Sequence, residues 1–357
     1  MLLIETSKRL IATLPAACLT LIMLYCATTN ASEHAMTQFY SNEADLESHY
    51  VDTIQPWWQS DVVQGQLSAS DGLKLHYAYV LHPQSIGDIV ISSGRIESLI
   101  KYKEFMYELY QQEYSVYIID HRGQGLSERM NDFPQRGFVE DFDDYVNDFE
   151  QFYTEVVKVN SRHQPILICH SMGSAIGALY LLKNPHHFAK VVFSSPMFGI
   201  KAPLPQWLAD VLISTGIRIN SVLSVKPWYF IGQTDYLPVP FALNTISNSK
   251  IRYQLFRQEY DAQPKVKLGG VTFKWLRAAI AGMNRIEEHA RDIQIPVLML
   301  QAGNELVVDN EAQDRVCDKF PHCIKHRIEN AKHELFMESD EFRQPVMSYL
   351  QAFLQAD

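Results

Sequence analysis

The chain has 357 residues and a formal charge of −10, from 31 basic and 41 acidic side chains. That length accommodates a core of roughly 250 residues plus an insertion, and the acidic balance argues against a nucleic-acid partner.

Lys8 and Arg9 precede an apolar stretch from Leu10 to Ala27, and Thr29-Asn30-Ala31 follow. This is the pattern of an export signal cleaved after Ala31, residues 1–31 being the leader. An uncleaved anchor is the alternative, because the stretch is near the lower length limit of a spanning helix. Either reading puts the protein in the periplasm or at the periplasmic face of the inner membrane. Residues 32–65 form a polar, aromatic-containing lead-in, and Gly72 to Val80 alternates as an early antiparallel strand does.

A parallel sheet then begins. Asp88–Ser92, Ser115–Ile119, Ile166–Cys169 and Val191–Phe193 are short apolar runs, and helical patterns at Lys103–Gln112, Asp141–Asn160 and Gly173–Lys183 alternate with them. Parallel strands need covering helices, so residues 66–195 read as the first part of an α/β core with helices on both faces of a mostly parallel sheet. From 196 to 292 the alternation lapses into apolar and aromatic stretches read as helical, Trp207–Ile213 and Trp228–Ile231 among them, and this segment is expected to be an inserted lid. The core resumes over 293–357 with strands Ile295–Gln301 and Cys323–Ile328 and helices Asn310–Lys319 and Asp340–Gln355. Cys317 and Cys323 flank a short turn; in an oxidising compartment they suit a disulfide, the alternative being two ordinary thiols.

Charge is unevenly spread. Met197 to Arg277 holds ten basic and four acidic residues, a local excess of six that leaves −16 on the remainder. Solvated helix faces account for this; so does a basic lid that meets anionic lipid.

Cys169-His170-Ser171-Met172-Gly173 lies between an apolar run and a helix start rich in small residues. Strand, sharp turn and helix make a nucleophile elbow with Ser171 as the reactive residue, and the turn needs small residues two places either side of it. The plain alternative is a serine that caps a helix after a buried strand. A hydrolase site of this kind takes an acid and then a histidine from loops after late strands. Glu305 is the first choice of acid, Asp309 the rival, and His333 has the order and loop position of the base. Two backbone N–H groups should face the oxyanion: Met172, after the nucleophile, and Arg95, in the Ser93–Ser98 loop, where Gly94 permits the turn. The Gly-x-Gly of Asp120–Ser127 lacks the third glycine of a dinucleotide fingerprint.

The segments SGRIES (Ser93–Ser98), DHRGQG (Asp120–Gly125), HSMG (His170–Gly173), PMFGI (Pro196–Ile200) and VVDN (Val307–Asn310) stand in register with one family. Over roughly residues 70–355 the chain resembles the monoacylglycerol lipase and serine aminopeptidase S33 branch of the α/β-hydrolases, and within it is most similar to bacterial lysophospholipases. The resemblance implies an α/β-hydrolase fold with a lid, a Ser171–His333–Glu305 triad, and Arg95 and Met172 at the oxyanion hole. It implies no cofactor and no metal. It also implies fatty-acid release from a lysophospholipid, with the phosphate near basic groups. A separate expectation, from its place in the oxyanion loop, is that the Arg95 side chain contacts that phosphate. The wider branch has aspartate where Glu305 stands, which keeps Asp309 open, and histidine where Ser93 stands. A monoacylglycerol lipase or general carboxylesterase is the alternative function, and a non-catalytic lipid-binding protein on the same scaffold a further one.

Overall fold

The computed structural model describes residues 40–130, 132–201 and 205–356. The expected leader, residues 1–31, lies outside them. In chain order, α1 begins at Leu46–His49 and continues through a π-helical turn, Tyr50–Ile54, into Gln55–Ser60. β1 (Val63–Ser68), β2 (Lys74–Val80), β3 (Gly87–Ser92), α2 (Lys103–Gln111) and β4 (Tyr114–Ile119) follow. α3 (Phe142–Phe152, extended by Tyr153–Val157 and Lys158–Asn160), β5 (Ile166–His170), α4 (Met172–Lys183) and β6 (Lys190–Ser194) complete the first part of the core. After the insertion with α5 (Gln206–Leu223), α6 (Lys250–Ala262) and α7 (Phe273–His289) come β7 (Val297–Ala302), α8 (Asn310–Cys317), β8 (Cys323–Ile328) and α9 (Asp340–Gln355).

The eight strands form one sheet in the order β1-β2-β4-β3-β5-β6-β7-β8. β1 and β2 run antiparallel to their neighbours and β3 to β8 are mutually parallel. Every residue of β3, β4, β5 and β7 is buried, which is why these strands read as continuous apolar runs. From β3 the chain crosses one way to β4, whereas from β5 it proceeds the other way to β6. The crevice of such a sheet opens where the connections diverge, above the carboxyl ends of β3 and β5.

Two local readings are corrected, and the lead-in holds a helix that its polar pattern did not announce. The lead-in is ordered: α1 places Leu46, Tyr50, Ile54 and Trp57 on one buried stripe, the first three of which pack with Leu255 of α6, and the Tyr50 hydroxyl donates to Glu259 Oε1 at 3.0 Å. β1 starts at Val63, ahead of the expected boundary at 66; it is a mostly exposed edge strand and so carries little apolar signal. Trp228–Ile231 is not helical. Tyr229 bridges Thr272 in an antiparallel pairing and Phe230 packs edge-on against Phe273, ring centroids 5.3 Å apart, so its aromatic residues serve a short extended strap.

The insertion is bolted to the core by a buried charge cluster. Arg252 of α6, with 0 % exposure, donates to Glu104 at 3.0 Å and to Asp340 at 2.9 Å. Cys317 and Cys323 are joined by a disulfide, Sγ–Sγ 2.02 Å, across the turn between α8 and β8.

Candidate active site

β5 passes into α4 through Ser171, whose backbone stands at φ 51°, ψ −117°. A non-glycine residue there costs on the order of 1–3 kcal/mol, so surrounding contacts must hold it. The Ser171 amide donates to Ser194 O at 3.0 Å, and its carbonyl accepts from Met197 N at 3.0 Å. A Cβ on Gly173 would lie 2.1 Å from Ser92 O; only glycine lets α4 approach β3 this closely. Two residues before the serine, Cys169 fills the other small position. A Cβ on Gly177 would sit 2.5 Å from its sulfur, so the glycine one turn into the helix makes the room that cysteine needs.

His333, in the loop after β8, reaches Ser171 Oγ with Nε2 at 2.9 Å and Glu305 Oε2 with Nδ1 at 2.8 Å. Glu305, in the loop after β7, has a side chain with 0 % exposure; its Oε1 accepts from Val307 N at 2.7 Å and Val308 N at 3.3 Å. Burial alone would raise the pKa of this carboxyl. The hydrogen bond and charge of His333, with the two amides, outweigh burial and hold it below the ordinary carboxylate range. An ionised Glu305 only accepts, so Nδ1 of His333 carries the proton and Nε2 is left to accept from the Ser171 hydroxyl. Asp309 is engaged elsewhere. It is the N-cap of α8, accepting from Glu311 N at 3.0 Å.

Met172 N is the first amide of α4, with no carbonyl a turn earlier to bond. Arg95 lies in the loop after β3. The DHRGQG segment braces that loop: Gln124 Nε2 donates to Gly94 O at 2.7 Å, and Asp120 accepts from Ser98 Oγ at 2.9 Å, Leu99 N at 2.6 Å and Leu126 N at 2.7 Å. A Cβ on Gly125 would fall 2.2 Å from the Asp120 carboxylate. The second glycine of the motif therefore fits the chain around Asp120. Sequence reasoning assigned no role to Asp120, Gln124, Glu97 or His170, because their partners come from other loops.

His170, next to the nucleophile, is buried. Its Nδ1 lies 3.1 Å from Glu97 Oε2 and its Nε2 3.3 Å from the His333 carbonyl oxygen. A carboxylate and a carbonyl oxygen only accept, so these partners favour a proton on both ring nitrogens, the imidazolium form of His170. Glu97 also accepts from Gly94 N, Tyr102 Oη and Lys101 Nζ, and Lys101 reaches on to Glu334. The cluster joins the oxyanion loop, the elbow and the His333 loop. Burial opposes the charge on His170, but the charge and hydrogen bond of Glu97, with Glu334, outweigh burial and the repulsion of Lys101, and hold its pKa above the ordinary histidine value. A raised histidine adds stability that is complete below its ordinary pKa and fades as pH rises through the folded value. His170→Gln is therefore expected to lower the unfolding temperature by about 2–5 °C at about pH 6 and by less at about pH 9. Thermal unfolding of both proteins at the two pH values checks this; a gap that does not narrow would contradict it.

Ser171 and His333 open into a cavity of about 1070 Å³ beneath the insertion. Its apolar wall includes Met197, Ile213, Phe230, Leu276 and Met283, a lining suited to a hydrocarbon chain. Among the described residues, no group of His, Cys, Asp and Glu side chains is arranged to hold a metal ion.

Residues 83–340 match the family described as serine aminopeptidase, S33. The probable lysophospholipase L2 of Haemophilus influenzae is 33 % identical over 290 residues, 81 % of this chain and 90 % of that protein. Lysophospholipase L2 of Escherichia coli K12 is 32 % identical over 295 residues, 80 % and 85 % of the two chains. The crystal structure of Paleococcus ferrophilus monoacylglycerol lipase shares the fold, with a TM-score of 0.60 at 19 % identity over 78 % of this chain and 98 % of that one. The strand order, the elbow and the matched length agree: the chain belongs to the serine aminopeptidase S33 family, with the α/β-hydrolase fold.

Proposed function

We propose that this protein is a serine ester hydrolase that releases the fatty acid from lysophospholipids through an acyl-enzyme. The observation that carries the chemistry is the continuous relay from Ser171 Oγ through His333 to Glu305 at the floor of an apolar cavity. The substrate class is supported by the two relatives named lysophospholipase L2.

His333 takes the proton of Ser171 as Oγ attacks the ester carbonyl, and Glu305 stabilises the imidazolium without itself taking the proton. The amides of Met172 and Arg95 receive the oxyanion, each such donor contributing a few kcal/mol. As the tetrahedral intermediate collapses, His333 returns the proton to the glycerol oxygen, which leaves with the head group. Water then attacks the acyl-serine, His333 again acting as base, and the fatty acid departs.

Contact with a membrane surface through the insertion belongs to the same proposal. Trp207, Val211, Val222, Leu223 and Val225 are exposed along and just beyond α5, and the exposed Arg218 and Lys226 lie beside them, which suits an anionic lipid surface. Part of the basic excess is used internally: Arg252 is buried, and Lys267 and Lys274 pair with Asp261 and Glu140. Among the described residues, no helix is long and apolar enough to cross a membrane. We place the protein in the periplasm or on the periplasmic face of the inner membrane, a reading supported by the leader sequence and by a disulfide that suits an oxidising compartment.

Fatty-acid release from lysophosphatidylethanolamine and from monoolein, measured side by side with the full chain, tests the substrate class. We expect kcat/KM to be higher for the lysophospholipid by about tenfold or more, the effect of one additional hydrogen bond to a charged group. Equal rates or a preference for monoolein would make the protein a monoacylglycerol lipase or general carboxylesterase instead.

A further inference from the structure

The buried cations of this protein are neutralised one by one. Lys101 meets Glu97 at 2.7 Å, Lys103 meets Glu259 at 2.7 Å, Arg122 meets Asp148 at 2.6 Å, Arg252 meets Glu104 at 3.0 Å, and Arg343 meets Glu108. Such pairing is what the cost of removing a charge from water demands. Arg95, part-buried where its side chain lines the cavity, departs from the pattern. Its side chain leaves the oxyanion loop and lines the same cavity as Ser171 and His333. Its guanidinium donates from Nη1 and Nη2 to one backbone oxygen, Gly269 O, at 3.3 and 2.9 Å. It also lies 5.4 Å from the centroid of the Trp275 ring. Among the described residues, no carboxylate pairs with it.

Six acids line the cavity; Asp210 is exposed on α5 and forms no ion pair with Arg95, Glu287 pairs with Arg315 and Lys319, and the other four are engaged elsewhere. Glu97 and Glu334 are held by Lys101, Asp235 accepts from Tyr229 Oη, and Asp309 caps α8. Burial pulls the Arg95 guanidinium down to about 10, against the pull of Tyr145 and Tyr229 in the other direction. The group remains charged at neutral pH while bearing the cost of a charge without a counterion. Two of its nitrogens rest on one carbonyl oxygen, so donor capacity is left over for an anion, and guanidinium geometry suits the paired oxygens of a phosphate.

We propose that the Arg95 side chain is the phosphate subsite of the cavity and the group that separates a lysophospholipid from its neutral monoacylglycerol counterpart. The inference rests on the ester-hydrolase reading and names the specificity residue within it. One residue then serves both ends of the polar part of the substrate. Its amide faces the ester oxygen at the elbow, and its guanidinium faces the phosphate; the glycerol between them is about as long as an arginine side chain. The acyl chain occupies the apolar wall. Because Gly269 lies in the insertion, phosphate held on Arg95 would also bridge core and insertion.

The test uses the purified full chain as wild type, Arg95→Met and Arg95→Lys. The first readout is the ratio of kcat/KM for lysophosphatidylethanolamine to that for monoolein, in which any loss shared by both substrates cancels. Arg95→Met is expected to lower the ratio by about 10- to 100-fold, the value of a charged hydrogen bond, and Arg95→Lys to restore part of it. An unchanged ratio would overturn the proposal and reduce Arg95 to a latch on Gly269. The second readout is inhibition of hydrolysis of a neutral p-nitrophenyl ester by dodecyl phosphate, dodecanol and inorganic phosphate. Wild type should favour dodecyl phosphate over both others, and Arg95→Met should bring it level with dodecanol. Inorganic phosphate inhibiting as well as dodecyl phosphate would show a site for free anions and would overturn the head-group assignment. If wild type shows the dodecyl phosphate preference yet does not favour the lysophospholipid, the substrate reading fails while the subsite stands.

Discussion

Ser171→Ala is expected to lower kcat for ester hydrolysis by about 10⁴- to 10⁶-fold while leaving the protein folded. The substitution removes the atom that forms the acyl bond and leaves the cavity and the amide of Met172 in place. Residual activity therefore stays above the uncatalysed rate. His333→Ala should fall as far, because Ser171 Oγ then has no acceptor at 2.9 Å for its proton. The double variant should be about as slow as either single one; groups that act as a relay are lost as a unit. Steady-state kinetics on a p-nitrophenyl ester, with thermal unfolding as the check on folding, measures all three. The strained φ of 51° belongs to the turn and not to the hydroxyl, so alanine should shift the unfolding temperature by only a few degrees.

The second large effect separates the two candidate acids. Glu305→Gln is expected to cost about 10³- to 10⁴-fold in kcat. The amide oxygen can still accept from Val307 N and Val308 N, which turns its NH₂ toward His333 Nδ1. That nitrogen must then accept, the ring proton moves to Nε2, and the imidazole faces the serine with a donor where an acceptor is needed. Asp309→Asn should leave kcat within about threefold, since asparagine caps a helix about as well as aspartate. Loss of activity in Asp309→Asn with retention in Glu305→Gln would reverse the acid assignment. The pH dependence of stability follows the same geometry. The Glu305 carboxyl is held below its ordinary value, so its contribution is complete above the ordinary carboxylate range and disappears as pH falls through the lowered value.

The core was legible where one strand and one turn carry the message. β5 is an apolar run through Cys169 that leads by His170 to the serine of a turn rich in small residues, and β8 ends in a loop with a histidine, so local pattern suffices for both. The helical insertion was legible as a lapse of the strand–helix alternation, but not its interior. An aromatic cluster such as Trp228–Ile231 reads the same whether it packs from a helix or from a strap paired with Thr272. α1 was missed although Leu46, Tyr50, Ile54 and Trp57 have helical spacing, because the surrounding residues are polar and the stripe is completed by α6, far along the chain. The buried supports of the site were the least legible. Asp120, Gln124, Glu97 and His170 gain their meaning from loops that meet only in the folded chain, and no spacing within one segment records that meeting.

The central claim is that Ser171 is the covalent nucleophile. The measurement that addresses it most directly is mass spectrometry of the full chain after treatment with a fluorophosphonate, followed by peptide mapping. One adduct is predicted on the peptide that carries Ser171, blocked in His333→Ala and absent in Ser171→Ala. An adduct on another residue, or none on an otherwise folded wild-type protein, would contradict the account.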